Sequence, residues 1–196
     1  MIRKQAIGTL DSGWLALSDV AIVVAAAYLI ALSAHLQIRL PFTPVPATLQ
    51  TLVVLLIGSL LTRRQALASV GLYLVGGLAR LPFFAGGSLW GPTGGYLIGF
   101  LVAVYVVGGL LEAGWRRNPS TASLALLVGN AAIYLFGLPW LALFVGPRSA
   151  LPLGLWPFVG GDLLKLICAV GLISMGGVLG SDRGDLTQDI SQRWRV

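Results

Sequence analysis

The stretch from Val20 to Leu36 contains no charged side chain and is interrupted only by Ser33 and His35. An α-helix crossing the hydrocarbon core of a bilayer needs about 20 mostly apolar residues, with about 17–25 the working range. Five further stretches share this character: Ala47–Leu61, Gln65–Leu78, Gly94–Gly114, Thr121–Val145 with Pro139 inside it, and Leu153–Leu179. Only 10% of the chain is charged and 57% is apolar, whereas a water-facing surface uses about 25% charged residues. Such sparse charge does not coat a soluble exterior. The chain therefore reads as an all-α, polytopic membrane protein with six transmembrane helices. Soluble enzymes, secreted disulfide scaffolds and disordered tails are excluded.

The second and third stretches reach only about 20–22 Å at 1.5 Å per residue, so a re-entrant hairpin competes with two full spans. The hairpin would leave Arg63 and Arg64 at its tip inside the bilayer, at a cost of about 2.5–3.5 kcal/mol each. Two spans are the cheaper arrangement. Lys/Arg asymmetry then sets the orientation. With the N-terminus inside, cytoplasmic segments carry Arg3, Lys4, Arg63, Arg64, Arg116, Arg117, Arg183, Arg193 and Arg195, and the outer loops carry Arg39, Arg80 and Arg148. Both termini are expected in the cytoplasm. Residues 1–180 read as one six-helix domain and 181–196 as a polar, solvated cytoplasmic tail. A secretory signal near Ala31-Leu32-Ser33 is disfavoured, because Arg3 and Lys4 lie far from that run and the run is of spanning length.

The net charge of +6 does not point to nucleic acid, because no Lys/Arg run exceeds two and no basic stripe interleaves with aromatics. The single cysteine, Cys168, forbids an internal disulfide and any multi-cysteine metal site; in its apolar run it reads as a small buried hydrophobe. The 26 glycines read mostly as helix-packing devices, since small residues let membrane helices approach closely.

Three places break the rules for lipid-exposed helices. In Leu40–Thr51 three prolines, at 41, 44 and 46, forbid a helix interior, and irregular backbone at membrane depth must be buried or line a cavity. Thr43, Thr48, Gln50 and Thr51 add polar groups to that wall. An ordinary extracellular loop is the plainer alternative. Leu81–Tyr96, on the same face, is rich in glycine and aromatics and is expected to fold inward as a lid. Phe84, Trp90 and Tyr96 are then walls for a flat ligand. Aromatic-belt anchoring accounts for Trp90 and Tyr96 but not for the glycines between them. The segment is no P-loop, because G-x-x-x-x-G-K-[ST] is absent.

Gly160-Gly161-Asp162-Leu163-Leu164-Lys165 is the third place. Asp162 and Lys165 are three apart and share a helix face. Lys165 is the only cation within any span, and intramembrane ionisable residues default to function, although a mutual ion pair is the structural alternative. Asn130 reads as interhelical glue or a ligand contact, and His35 as a solvated interface residue. Ala21, Ala25, Ala27 and Ala31 form a small-residue face that either docks another membrane helix or packs within the fold. Catalysis lacks a constellation: there is one His, one Cys and one intramembrane carboxylate, with neither H-E-x-x-H nor G-x-S-x-G. A binding or transport module remains.

The run Pro41–Thr51, Phe84-Ala85-Gly86-Gly87, Gly91-Pro92-Thr93-Gly94-Gly95-Tyr96, Ile133–Trp140, and Asp162 with Lys165 resemble the BioY family, the biotin-specific S components of energy-coupling factor (ECF) transporters. The resemblance covers roughly residues 18–180. It departs at a shortened stretch before Gly91 and at Arg80, a position usually uncharged. It implies a six-helix fold and high-affinity biotin uptake across the bacterial cytoplasmic membrane, with a transmembrane T component and two ABC-type ATPases as partners. Biotin is then a transported substrate, no cofactor is expected, and membrane lipids surround the chain. The implied substrate contacts are Thr43, Gln50, Phe84, Trp90, Thr93, Gly94, Tyr96, Asn130, Asp162 and Lys165, with Ala21, Ala25, Ala27 and Ala31 for partner docking. Asp162 and Lys165 suit a ureido ring as acceptor and donor. The valerate carboxylate is left to backbone N–H groups near Gly91–Gly94 or to Arg80, and the two ends are interchangeable at this stage. An S component for a different vitamin, or a small self-sufficient facilitator, would fit the same chain.

Overall fold

A computed structural model describes the backbone of residues 11–193 and the side chains of 17–116 and 118–175. The cations expected at Arg3, Lys4, Arg183, Arg193 and Arg195, and the Arg117 side chain, lie outside those described. Among the described residues seven α-helices follow in order: α1 (Asp11–His35), α2 (Gln50–Leu60), α3 (Arg63–Leu78), α4 (Gly94–Glu112), α5 (Pro119–Val145), α6 (Pro147–Gly154) and α7 (Trp156–Arg193). The only other extended structure among the described residues is a two-residue antiparallel pair, β1 (Gln37–Ile38) with β2 (Ala47–Thr48). The chain is an all-α, polytopic membrane protein. Among the described residues four segments are long and apolar enough to cross a bilayer: Leu17–His35, Gly94–Glu112, Pro119–Val145 and Pro147–Met175.

Three boundaries differ from expectation. Ala47 and Thr48 pair with β1, so α2 starts at Gln50, whose N–H is accepted by Thr48 Oγ1 at 3.2 Å. This shortens α2 to 11 residues, about 16 Å, less than a hydrocarbon core. Gly146, in the left-handed region at φ 83°, ends α5 and turns the chain into the separate helix α6, so the last long helix begins at Trp156 rather than Leu153. Helix α7 also runs beyond the expected Leu179, through the stretch after Gly180 to Arg193.

Small residues set the helix packing, as the glycine count suggested. A Cβ on Gly95 would lie 2.3 Å from Trp140 Cβ and one on Gly99 2.9 Å from the Ile133 backbone, so α4 and α5 touch along their main chains. Gly76 and Gly77 similarly leave room for the rings of Phe83 and Phe84, which fold back onto the end of α3. Arg80 closes α3 with φ 64°: its N–H donates to Gly77 O and the Leu81 N–H to Gly76 O, the paired bonds of a Schellman ending. Its side chain is exposed. At the opposite end of the molecule a capping box of Thr62 and Gln65 starts α3. Arg63 there donates its N–H to Glu112 Oε1 at 3.0 Å and stacks over Tyr105 at 5.1 Å, and the Arg116 guanidinium donates to Ser59 O.

The alanines of α1 do not share one face. Ala27 and Ala31 are buried in the core beside Ile30, whereas Ala21 and Ala25 are exposed. Each pair is spaced i, i+4, but the two-residue step from Ala25 to Ala27 turns about 200° around the helix. Cys168 is exposed, not buried. It lies among the outward-facing Leu164, Ile167 and Leu172 of α7, because apolar side chains in a membrane protein also cover the lipid side.

Candidate functional site

Both irregular segments meet at one end of the helices, over the first turns of α7. They enclose a cavity of about 420 Å³. Its wall is drawn from the α1–α2 connection, the α3–α4 loop, and all the long helices α1 to α5 and α7. The α3–α4 loop is folded over it as expected: Ala85 (φ 48°) and Gly86 (φ 85°) reverse the chain, so that Phe84, Gly87, Gly91 and Thr93 all reach the cavity. The Trp140 indole holds this roof by donating to Gly91 O at 2.9 Å, and Gln37 Nε2 ties the α1–α2 connection to Ala85 O at 3.3 Å.

A polar cluster forms the floor. Lys165 Nζ lies 3.0 Å from Asp162 Oδ1 and 3.0 Å from Thr51 Oγ1. The Thr51 hydroxyl donates to Asp162 Oδ1 at 3.4 Å, and the Tyr134 hydroxyl donates to Asp162 Oδ2 at 2.5 Å. Asp162 is only 4% exposed. The pair is thus neutral in sum and nearly satisfied. A carboxylate offers about four acceptor sites and an ammonium three donors. Three of the first and two of the second are used here, leaving one acceptor and one donor side by side. A ligand edge that presents an N–H next to a carbonyl completes both. Beside this floor, Gln50 Nε2 donates to the Tyr73 hydroxyl at 2.8 Å and Gln50 Oε1 accepts from Thr48 at 3.3 Å, which fixes the amide. Tyr96 points its hydroxyl away to Gly154 O at 2.9 Å and offers the cavity its ring, edge-on to Tyr134 at 6.0 Å.

Of the residues expected to meet a ligand, Gln50, Phe84, Thr93, Tyr96, Asp162 and Lys165 line this cavity together. Four do not. Thr43 spends its hydroxyl on Leu153 O at 2.7 Å, anchoring the proline-rich segment to α6. Trp90 is 73% exposed on the outside of the roof. Gly94 is buried under it, where a Cβ would lie 1.8 Å from Leu89 O. Asn130 is buried with its Oδ1 unpartnered among the described residues, outside the lining. Arg80 is also outside, its place explained by the helix ending. Thr51, Tyr73, Tyr134 and Arg39 line the cavity without having been singled out as contacts. Thr51 was named as a polar group of the wall and Tyr134 lay within the Ile133–Trp140 motif, but only the packing of α5 against α7 brings the Tyr134 hydroxyl to Asp162. Tyr134→Phe removes one bond to a buried carboxylate. It is expected to weaken ligand binding about 10-fold in calorimetry.

Residues 4–182 match the model of the BioY family. This chain belongs to the BioY family. Among BioY relatives, it is 40% identical to the probable biotin transporter BioY of Pyrococcus horikoshii over 139 residues, 68% of this chain and 82% of that one. Against the biotin transporter BioY of Thermotoga maritima the identity is 37% over 142 residues, 67% of this chain and 80% of that one. Its fold is similar to the crystal structure of the S-component for biotin from an ECF-type ABC transporter, with TM-score 0.70 and 26% identity, covering 81% of this chain and 90% of that one. The family match spans all the cavity-lining segments.

Proposed function

We propose that this chain is the biotin-binding, substrate-specific component of an ECF-type transporter, and that the cavity over α7 is its biotin site. One observation carries the reading: the floor leaves one acceptor on Asp162 and one donor on Lys165 beside each other, the complement of the N–H and C=O edge of biotin's ureido ring. The rings of Phe84, Tyr96 and Tyr134 suit the apolar thiophane and chain. The BioY relatives are named as biotin transporters, which supports the same ligand.

Six spans with both termini in the cytoplasm fit the distribution of Lys and Arg, with the cavity opening outward. Residues 1–180 then act as one substrate-binding domain, α2 and α3 crossing together with help from the loops at their ends. The setting is the bacterial cytoplasmic membrane, and the partners are a transmembrane T component and two ABC-type ATPases. Of Ala21, Ala25, Ala27 and Ala31, the first two remain on the lipid side for a partner helix. Membrane transport, not catalysis, is the activity. Mass spectrometry of small molecules released from the purified protein is expected to find biotin. A different vitamin in its place, with no biotin binding in titration, would overturn the assignment.

A further inference from the structure

The cavity contains two cations, and only one has a counter-ion. Lys165 is matched by Asp162 at the buried floor. Arg39 follows β1 directly, is exposed, and lines the other end of the cavity. Its Nη2 lies 3.6 Å from the place a Cβ on Gly86 would take, so the guanidinium rests against the turn of the roof. The hairpin and the Gln37–Ala85 bond hold its backbone at that spot. Among the described residues no carboxylate pairs with Arg39 and no hydrogen bond occupies its donors.

Several other backbone donors at this mouth are already used. The N–H groups of Gly87, Gly91 and Gly94 donate to Phe84 O at 2.7 Å, Ser88 O at 3.1 Å and Gly91 O at 3.0 Å; the N–H of Trp90 donates to Ser88 Oγ at 3.2 Å. Pro92 has none. The backbone around Gly91–Gly94, expected from the sequence to receive an anion, therefore keeps only the Thr93 N–H, beside the Thr93 hydroxyl, and neither carries a charge. Lys165 is neutralised and turned toward the floor. We infer that Arg39 is the specificity-determining residue that reads the ligand's carboxylate at the cavity mouth, so that the site prefers a free acid over neutral amide or ester conjugates of the same ring system. This deepens the biotin reading and rests on it.

A guanidinium presents a planar fork that matches a carboxylate in two parallel bonds, and it stays charged at every working pH. Its exposure to water and salt moderates the gain. A preference of about 10-fold is the scale for one partly solvated, charge-assisted contact. The anion and the ring would then be recognised by separate groups at opposite ends of the cavity.

The test is calorimetry on the purified full chain in detergent, titrating biotin and biotinamide into wild type, Arg39→Ala and Arg39→Lys. Wild type is expected to favour biotin about 10-fold, with the preference shrinking as salt is raised. Arg39→Ala is expected to lose the preference by weakening biotin alone, leaving biotinamide unchanged, and Arg39→Lys to keep part of it. An Arg39→Ala variant that retains the preference, or that weakens both ligands equally, overturns the assignment of Arg39. Wild type that binds neither compound overturns the biotin reading itself, and the role of Arg39 with it.

Discussion

Asp162→Asn is expected to lower biotin affinity about 100-fold, the scale of losing the charge from an acceptor that serves a ligand N–H. The substitution keeps the shape of the side chain but also leaves Lys165 as an uncompensated, largely buried cation. Removing one partner of such a pair costs about 3–5 kcal/mol of stability, so thermal unfolding in detergent is expected to shift downward as well. The double variant Asp162→Asn with Lys165→Met separates the two effects. With no charge left on the floor, stability is expected to return toward wild type, because a buried pair replaced by neutral groups is about neutral in cost. Binding is expected to stay lost. Wild-type affinity in Asp162→Asn would show that the floor does not hold the ligand, and recovered affinity in the double variant would show that the single substitution acted only through folding.

Gly94→Ala is expected to be nearly as damaging, by a different route. The added Cβ would sit 1.8 Å from Leu89 O and 3.0 Å from Trp140 Nε1. Main chain must move to admit it, and the first thing displaced is the roof bond from Trp140 to Gly91 O. Overpacking of this kind costs about 1–3 kcal/mol, and the roof shift carries Gly91 and Thr93 away from the cavity. A lowered unfolding temperature together with weakened biotin binding is the expected result. Gly160→Ala is the matched control. A Cβ there meets nothing within 4 Å, and alanine is favoured over glycine in a helix by up to about 1 kcal/mol, so neither quantity should fall. Equal behaviour of the two variants would refute the packing role assigned to Gly94.

These two glycines also show where sequence reading stops. Both belong to Gly-Gly pairs in apolar helices, and nothing local distinguishes them. Gly94 is pressed under a loop that arrives from residue 89, whereas Gly160 faces outward. The same holds for the alanines of α1: spacing by four places each pair on a face, yet only the position of α3 decides that Ala27 and Ala31 are inside. Cys168 adds the converse case. Hydropathy says that a residue avoids water, and in a bilayer this leaves protein core and lipid indistinguishable.

Charge and chain-breaking residues were the informative signals. Sparse charge was enough to establish an all-α membrane protein. Asp162 and Lys165, three apart on one helix, pointed to the floor of the cavity because a charge in a span is costly without a partner. The prolines at 41, 44 and 46 and the glycines from Gly86 to Gly95 marked the two segments that enclose it, since neither residue type sits easily in a regular helix. What the sequence by itself determined was therefore local: which stretches are helices, where the backbone departs from them, and which intramembrane charges need partners. What only the tertiary structure decided was long-range: that Tyr134 and Thr51 complete the Asp162–Lys165 floor, that Trp90 and Thr43 face elsewhere, and that Arg39 rather than Arg80 reaches the cavity. The physical reason is that a side chain's own chemistry and its helix register are fixed by nearby sequence. Its neighbours across the bundle depend on how close each helix pair packs, and that follows from contacts between residues far apart in the chain.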